Sequence, residues 1–355
     1  MIAGTLSIVT IMLAAQSLLG GDNVCILKAD RVFGGEGELY YPCAIENGQS
    51  EVYVADTSNN RIVVYDIEGS MLRAFGSVGS RQGELLYPRE VAVDDSGRVV
   101  VMDTGNNRVQ IFLPRDGSML PTAVIDLGYN ASRVSWVNAD TWVVDSNSWR
   151  SGSVLGLYSA NGGKVRDIGK ARFADHEWIS VPAAVNKVCI DVRDGLFAVG
   201  MQTQAEIEVY DMQGEVVSHF KLKEPALAKI RSWWWHSFSD KSVARDRMRV
   251  NISEDNVLVE DALATATPSE ASCAFYVSDI EIFAGQIWVM LDGDIYVYEL
   301  SGKLARIYDM RDGSGGDVPL HAFSYEGGKY VWGLDTMHTH NCYRFPLAGN
   351  AGSAW

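Results

Sequence analysis

Short runs of alternating apolar and polar residues, separated by turn-forming residues, recur from residue 43 onward. In the first stretch apolar side chains occupy every second position, as at Val52 and Val54. Side chains of a strand alternate between its two faces, so this period predicts strands packed on a core. Asn-Gly at 47–48 and Glu-Gly at 68–69 favour tight turns. The stretch therefore predicts a four-stranded antiparallel meander with strands at Cys43–Glu46, Glu51–Ala55, Arg61–Asp66 and Met71–Phe75.

The same layout occurs a second time in the neighbouring stretch. Tyr41-Pro42 recurs as Tyr87-Pro88 after 46 residues. The phrase Asp-Thr-Ser-Asn-Asn-Arg-Ile at 56–62 recurs as Asp-Thr-Gly-Asn-Asn-Arg-Val at 103–109, after 47 residues. A period of this size is typical of repeated supersecondary units, and among units built from strands it favours propeller blades.

These two copies resemble NHL repeats, whose blades carry a first strand that begins at Pro and then the phrase Asp-Thr-x-Asn-x-Arg-Ile/Val. Pro42 with Asp56–Ile62 matches this pattern, and so does Pro88 with Asp103–Val109. The resemblance implies a six-bladed propeller of the TolB-like superfamily. It implies little about function, because propellers host both enzymes and binding scaffolds.

Four further stretches repeat the layout in a looser form, at 133–168, 188–220, 277–307 and 322–345. The last stretch supplies only three strands, whereas Arg31–Gly34 precedes the first blade as Ala74–Gly76 precedes the second. We expect this N-terminal strand to close the last blade, which leaves no exposed sheet edge at the closure. The predicted fold is all-β, a six-bladed β-propeller of four-stranded antiparallel blades over residues 25–348, with a large insertion at 221–276 and a tail at 349–355.

Charge and the N-terminal residues narrow the cellular setting. The chain has 355 residues, a net charge of −15 and a pI near 4.8. This acidity argues against a nucleic-acid partner, because few cations are available to neutralise phosphates.

Residues 1–24 begin with an uncharged apolar stretch, interpreted as a signal peptide for export to the periplasm or extracellular space. The alternative interpretation of these residues is an uncleaved hydrophobic segment at a membrane. We expect the protein to be a monomer.

The five cysteines are widely spaced and form no Cys-x-x-Cys pair; they are Cys25, Cys43, Cys189, Cys273 and Cys342. This spacing favours neither a zinc site nor a disulfide framework. Buried free thiols are the leading interpretation. A bridge between Cys25 and Cys43 stays open for an exported protein.

In a propeller blade, the loops from strand four to the next strand one, and from strand two to strand three, emerge on the same face of the disc. The repeat departs most from its pattern in these loops, so we call this the insertion-bearing face and expect ligand to bind there. The Trp run at 233–235 has a competing interpretation, as an anchor that holds the insertion onto the disc. The candidate ligand-binding residues are Arg89, Trp149, Arg150, His176, Trp178, Trp233, Trp234, Trp235 and His236.

Three histidines of the same face form a candidate divalent-metal site, namely His321, His338 and His340. Spacing of two residues in an extended strand directs the side chains of His338 and His340 to one side, and imidazoles are common metal ligands. Metal-free histidines of surface loops are the competing interpretation, and no other cofactor is predicted. The acidic residues that begin the two-to-three turns are expected to cap those turns by accepting backbone N–H bonds instead of acting in catalysis; they are Asp56, Asp103, Asp145 and Asp335.

The sequence contains no nucleophile elbow, zinc-protease motif or phosphate-binding loop. The first hypothesis is therefore a non-catalytic binding or scaffold propeller that recognises a protein, peptide or glycan on the insertion-bearing face. The alternative is a metal-dependent lyase or lactone hydrolase, activities that some six-bladed relatives have. An enzyme would bring imidazoles and carboxylates to one point, whereas a binding module would present an exposed aromatic shelf.

Overall fold

The structure, a computed structural model, describes residues 24–146, 152–171, 188–202, 205–222 and 277–347. The strands of these residues form six separate sheets. The first strands of successive sheets contact one another in a ring, and the last contacts the first. The predicted all-β six-bladed propeller is thereby confirmed. In this part of the chain we find no helix with the length and apolar character needed to cross a membrane.

Strands are numbered along the chain, and the first two join the last two blades. These are β1 (Val24–Lys28) and β2 (Arg31–Gly34). Blade one contains β3 (Ala44–Asn47), β4 (Glu51–Asp56), β5 (Arg61–Asp66) and β6 (Met71–Phe75). Blade two contains β7 (Pro88–Val93), β8 (Val99–Asp103), β9 (Arg108–Arg115) and β10 (Ser118–Asp126). Short 3₁₀ helices at Thr57–Asn59 and Thr104–Asn106 form the two-to-three turns of these blades.

The remaining blades keep the same order of antiparallel strands. Blade three contains β11 (Val134–Asn138), β12 (Thr141–Asp145), β13 (Leu155–Ser159) and β14 (Lys164–Ile168). Blade four contains β15 (Val188–Arg193), β16 (Leu196–Met201), β17 (Glu206–Asp211) and β18 (Val216–Lys221). Blade five contains β19 (Asp279–Phe283), β20 (Gln286–Leu291), β21 (Asp294–Glu299) and β22 (Leu304–Arg311). Blade six contains β23 (Ala322–Glu326), β24 (Tyr330–Leu334) and β25 (Asn341–Pro346).

The N-terminal strands close the ring at two adjacent blades. β2 pairs antiparallel with β25, with Phe33 opposite Cys342, so the predicted closing strand of blade six is confirmed. β1 pairs parallel with β22, with Val24 opposite Ile307, and gives blade five a fifth strand. The sequence did not predict β1, because a lone apolar run carries no repeat signal that assigns it to a particular sheet edge.

A buried guanidinium fastens this closure. Arg344 of β25 donates from Nε and Nη2 to the Asp30 carboxylate, each at 2.9 Å. Its Nη1 reaches Glu68 of blade one at 3.2 Å, and its Cζ lies 4.7 Å from the ring centroid of Tyr330. Only 4% of the Arg344 side chain is exposed. One side chain therefore joins the last blade to the first blade and to the segment between β1 and β2.

Neighbouring blades pack face to face through apolar clusters. Alternate residues of β4 point in opposite directions: Val52 and Val54 pack toward blade six, whereas Tyr53 and Ala55 pack toward blade two. The strands are therefore apolar on both faces, since each blade is covered on two sides. Corresponding clusters fill the other junctions, and the core is a ring of six interblade layers.

Candidate functional site

Hydrogen bonds join the two kinds of loop on the insertion-bearing face. Ser58, in the two-to-three turn of blade one, donates its N–H to the carbonyl of Tyr40 at 3.1 Å. In blade two, Gly105 makes the same bond to Leu86 at 2.8 Å. Each bond links a two-to-three turn to the four-to-one loop that leads into the same blade. The two loop types therefore lie together in these blades, as predicted.

Buried carboxylates of the repeat phrase anchor the same loops. Asp56 accepts the N–H of Tyr40 at 2.8 Å, and Asp103 accepts the N–H of Leu86 at 2.7 Å. Both aspartates are fully buried. They accept backbone N–H bonds as predicted, but from the preceding loop, since neither caps its own 3₁₀ helix. Their role is to fix the loop that leads into the blade.

The arginines of the phrase complete these anchors. Arg61 Nε lies 2.7 Å from the Asp56 carboxylate, and its Nη2 donates to the carbonyl of Glu38 at 2.6 Å. Arg108 Nε lies 2.6 Å from Asp103. The Arg108 guanidinium also donates to three loop carbonyls, those of Ser80, Arg81 and Glu84. Each carboxylate–guanidinium pair thus holds a loop by its backbone.

The other two turn aspartates differ in their partners. Asp145 accepts the N–H groups of Ser132 and Arg133 at 2.8 and 2.7 Å, again from the preceding loop. Asp335 instead caps its own turn, and the strongest of its backbone bonds comes from Thr339 at 2.7 Å. Burial acts to raise the pKa of Asp335, but the hydrogen bonds from its own turn outweigh burial and lower that pKa. Asp335 is therefore an ionised structural cap.

Three tyrosines of the anchored loops project into solvent. Their exposed fractions are 53% for Tyr40, 44% for Tyr41 and 53% for Tyr87. Tyr41 and Tyr87 occupy equivalent repeat positions directly before proline, and both have positive φ, at 45° and 47°. Positive φ is sterically costly for a side chain of this size. The Asn60 side chain accepts the N–H of Tyr87 at 2.9 Å and helps to hold this conformation.

His340 occupies a structural position of the repeat. Its φ of 58° corresponds to 57° at Asn60 and 55° at Asn107, which end the equivalent turns of blades one and two. The His340 side chain is buried, with its ring centroid 4.9 Å from that of Tyr41 and 6.0 Å from that of Tyr40. The buried His340 ring therefore packs against Tyr40 and Tyr41 from the protein interior.

The other two histidines of the candidate metal site lie together beside Asp335. The ring centroids of His321 and His338 are 6.1 Å apart, and their Nδ1 atoms lie 3.7 and 3.4 Å from the Asp335 carboxylate. Burial lowers the pKa of His321. His338 and His340 lie in a turn and not in an extended strand, so they do not point to one side. Within the described ranges no three His, Cys, Asp or Glu side chains form a group that could hold a metal ion.

Among the candidate ligand-binding residues, the structure describes Arg89, which is exposed at the beginning of β7. It lies two residues after Tyr87 in the chain. The remaining candidates fall outside the described residues, so their placement stays a prediction; they are Trp149, Arg150, His176, Trp178, Trp233, Trp234, Trp235 and His236.

Sequence reasoning missed a set of charged residues on the first strands, around the propeller axis. The carboxylates are Glu46, Glu90, Asp191, Asp279 and Glu281, and the guanidiniums nearest to them are Arg133 and Arg193. A signal for them exists in the sequence, because acidic residues interrupt apolar first strands at alternate positions, as in Asp279-Ile280-Glu281-Ile282. One face of such a strand packs between blades while the other lines the channel.

Several of these carboxylates bind the backbone of the neighbouring blade. Asp191 of blade four accepts the N–H of Ile282 at 2.8 Å, and Asp279 of blade five accepts the N–H of Phe323 at 2.9 Å. Arg133 donates to Glu90 at 2.7 Å, across the junction of blades two and three. The first strands are therefore joined around the channel by side-chain bonds as well as by packing.

Burial of so many carboxylates raises their pKa values. Burial raises the pKa of Glu46 to about 8, with a further rise from the charge of Asp191. Burial likewise raises the pKa of Glu90 to about 7 and of Asp279 to about 6, although Arg133 opposes both shifts. The pKa of Glu281 lies well above its usual range for the same reason. Glu46 therefore holds a proton near neutral pH.

The family model of the NHL repeat matches residues 85–112, which contain β8 and most of β9. This stretch holds the Asp103 anchor, the tyrosine at 87 and the left-handed turn at Asn107. The chain is a six-bladed propeller that carries an NHL repeat.

Curated proteins similar to this NHL-repeat propeller are matched over short stretches. The protein brain tumor of Drosophila melanogaster is 39% identical over 80 residues, which are 22% of this chain and 8% of that protein. NHL repeat-containing protein 3 of Homo sapiens is 31% identical over 111 residues, covering 28% of this chain and 31% of the relative. E3 ubiquitin-protein ligase NHLRC1 of Homo sapiens is 28% identical over 88 residues, covering 24% and 22%. The chain spans less than a third of the length of these relatives.

Solved structures resemble the NHL-repeat propeller over nearly its whole length. Virginiamycin B lyase from Staphylococcus aureus superposes with a TM-score of 0.51 at 10% identity, covering 89% of this chain and 98% of that one. The structure of U3-55K gives a TM-score of 0.52 at 8% identity, covering 90% and 100%. At such identities the likeness concerns the fold alone.

The cysteines of the NHL-repeat propeller that the structure describes are free thiols. Cys189 and Cys342 are buried, in agreement with the leading interpretation of the sequence. Cys25 lies in β1 against blade five, and Cys43 donates its thiol to the carbonyl of Tyr41 at 3.8 Å, so the alternative bridge between them is not formed. Cys273 falls outside the described residues.

Proposed function

We propose that this propeller is a non-catalytic binding module that recognises a segment of another protein on its insertion-bearing face. The observation that carries the proposal is the pair Tyr41 and Tyr87, two exposed aromatic side chains held at positive φ on adjacent blades. Aromatic residues with arginine nearby are enriched at the centres of protein interfaces. Exposed Arg89 lies beside Tyr87 in the chain and supplies that chemistry.

The backbone conformation of the two tyrosines supports a role in display. Positive φ at a bulky residue costs on the order of 1–3 kcal/mol, and such strain concentrates at functional sites. Exposed side chains return little of this energy through folding, since about half of each ring is open to solvent. Asn or Gly at either position would relieve the strain. The retention of tyrosine at both positions is therefore better explained by binding than by stability.

The anchored loops also favour tight recognition. Asp56 and Asp103 fix the backbone of the two loops before any ligand arrives, so binding does not have to order them. Preorganisation of this kind raises affinity by reducing the entropy lost on association. A protein partner agrees with the similarity to E3 ubiquitin-protein ligase NHLRC1. Nothing specific among the described residues favours the alternative of a metal-dependent lyase or lactone hydrolase, and we do not propose it.

Selection of ligands on the whole protein tests the proposal. A random peptide library would be selected against the wild-type chain, with a glycan array probed in parallel. Affinities of the selected peptides would then be measured by calorimetry for the double variant Tyr41→Ala/Tyr87→Ala. Leu72→Ala is the matched control, because Leu72 is 49% exposed on the outer strand of blade one.

We expect the double variant to bind the selected peptides at least about tenfold more weakly, the size of effect that interface aromatics produce. The Leu72→Ala control should bind within about twofold of wild type. Peptides that bind both variants equally would refute a tyrosine-centred site. Binding of glycans but of no peptide would show that the ligand is a sugar and not a protein.

A further inference from the structure

Three carboxylates of the first strands line one part of the central channel, which we call the lower channel. Glu46 lies on β3 of blade one, Asp191 on β15 of blade four and Glu281 on β19 of blade five. Blades one and four stand opposite each other in a six-bladed ring, yet the charge of Asp191 raises the pKa of Glu46. Glu281 likewise responds to both of the other carboxylates. All three residues lie on first strands, which surround the channel, and Glu46 and Asp191 remain partly exposed there.

The positive charge near these carboxylates is too small to balance them. Arg193 acts on all three, and its Nη2 atom lies 4.0 Å from Glu281 Oε2. Arg133, the other guanidinium described at the axis, is bonded to Glu90 at 2.7 Å. Glu90 and Asp279 add further negative charge to the cluster, because they raise the pKa of Glu46 and of Glu281 respectively. The lower channel thus has an excess of carboxylates over guanidiniums.

A second observation, independent of charge, is an unused acceptor on Glu281. Its Oε1 accepts the N–H of Tyr325 at 3.1 Å, but its Oε2 is buried and has no hydrogen-bond donor within the described ranges. The whole side chain is only 7% exposed. Buried polar atoms in folded proteins nearly always have a partner, so this one needs an explanation. Asp191 and Asp279 also accept interblade N–H bonds, but within the described ranges neither has a buried oxygen that lacks a donor.

We propose that the lower channel is a binding site for an organic cation, a guanidinium or primary ammonium group that inserts among Glu46, Asp191 and Glu281. A bare metal ion does not suit these residues, because the described carboxylates form no group that could hold one. Guanidinium and ammonium groups carry several N–H donors and can bridge carboxylates that stand farther apart. Insertion would add a second organic cation to these carboxylates beside Arg193.

Binding of this cation is coupled to release of protons. Near neutral pH the Glu46 carboxyl group holds a proton, because its pKa is about 8. An incoming cation favours the ionised carboxylate and lowers that pKa. The carboxyl O–H bond breaks, the proton passes to the buffer and the carboxylate pairs with the cation. Affinity for the cation therefore rises with pH through the range in which Glu46 titrates.

Calorimetric titration of the full chain tests the proposal. The probes are agmatine, a small molecule with a primary ammonium at one end and a guanidinium at the other, and N-acetyl-arginine methylamide, which presents the guanidinium as a peptide side chain would. Each would be titrated near the pKa of Glu46, about 8, in two buffers of different ionisation enthalpy. The variants are Glu46→Gln and Asp191→Asn, with Glu299→Gln as the matched control on the surface of blade five.

We expect at least one probe to bind wild type with release of protons, and to bind each channel variant at least about tenfold more weakly. The control should match wild type, and the variant Tyr41→Ala/Tyr87→Ala should keep its affinity, which separates this site from the tyrosine face. Preference for agmatine indicates a free amine, and preference for the arginine derivative indicates a protein side chain. Failure of both probes to bind, or binding that ignores pH and Glu46→Gln, would overturn the proposal.

Discussion

Removal of the repeat carboxylate should destabilise the second blade more than the first. The variants are Asp103→Ala and Asp56→Ala, which delete the same group from two copies of one motif. Asp103 has four side-chain or backbone partners: the N–H of Leu86 at 2.7 Å, Asn106 Nδ2 at 2.9 Å, Arg108 Nε at 2.6 Å and Gln110 Nε2 at 3.1 Å. The variant leaves all four donors without this acceptor.

The difference between the two copies follows from the exposure of the guanidinium. Arg108 has 10% of its side chain exposed, whereas Arg61 has 29%. Breaking a buried ion pair by removing one partner costs about 3–5 kcal/mol, because the remaining charge stays desolvated. Water can approach Arg61 more easily, and this recovers part of the loss. We expect the free energy of unfolding to fall by about 4 kcal/mol in Asp103→Ala and by about 2 kcal/mol in Asp56→Ala.

Equilibrium unfolding in urea, followed by tryptophan fluorescence and circular dichroism, measures both changes. The variants Asp103→Asn and Asp56→Asn serve as controls, since they keep an acceptor and lose the charge. They should be less harmful than the alanine variants. Equal losses in the two alanine variants, or a larger loss at Asp56, would refute the argument that burial of the guanidinium sets the cost.

Three further predictions concern the tyrosines, the channel and the closure. Tyr87→Asn should raise the free energy of unfolding by about 1 kcal/mol, because Asn tolerates positive φ. The control Tyr87→Phe should leave the free energy of unfolding unchanged. A lower stability of the Asn variant in thermal unfolding would contradict the inferred strain. The pKa of Glu46 is raised from 4.5 in the unfolded chain to about 8 in the folded protein. The stability that its neutral form contributes is therefore fully present below pH 4.5 and is lost as pH rises through about 8. Between about pH 5 and 8.5, Glu46→Gln should therefore gain on the order of 4 kcal/mol relative to wild type, and parallel pH profiles in urea titrations would argue against this. Arg344→Met should lower the free energy of unfolding by about 3–5 kcal/mol. Arg344→Lys should not restore the stability, since lysine cannot pair bidentately with Asp30. Full stability of the Lys variant would show that the charge alone suffices.

The fold could be predicted from the sequence because both the turns and the strands of one blade recur in the next. The phrase at 56–62 and its copy at 103–109 fixed the length of a blade, and the looser blades could then be counted against it. β1 escaped prediction because a fifth, parallel strand has no counterpart in the repeat. The pairing partner of an isolated strand depends on which sheet edge is free, and this is a property of the assembled ring.

The site was less accessible to sequence reasoning, for two physical reasons. His340 was assigned to a metal site from its spacing to His338, but the decisive property is its backbone conformation at the end of a turn, which the pattern of the looser sixth blade conceals. The channel carboxylates come from blades that are far apart in sequence, so that the charge of Asp191 acts on Glu46 only in the assembled ring. Export, a monomeric state, lack of nucleic-acid binding and the roles of the insertion residues stay predictions.

The way in which β1 and β2 complete blades five and six determines when the protein can fold. During synthesis from the N-terminus, β2 has no partner until β25, at Asn341–Pro346, has emerged from the ribosome. The intervening blades can form locally, but β2 stays unpaired with β25 until their strands have been made. Contacts of such long sequence separation slow folding and leave strand edges open to other chains meanwhile. Closure of the ring therefore makes a strand at one end of the propeller sequence dependent on a strand made about 300 residues later.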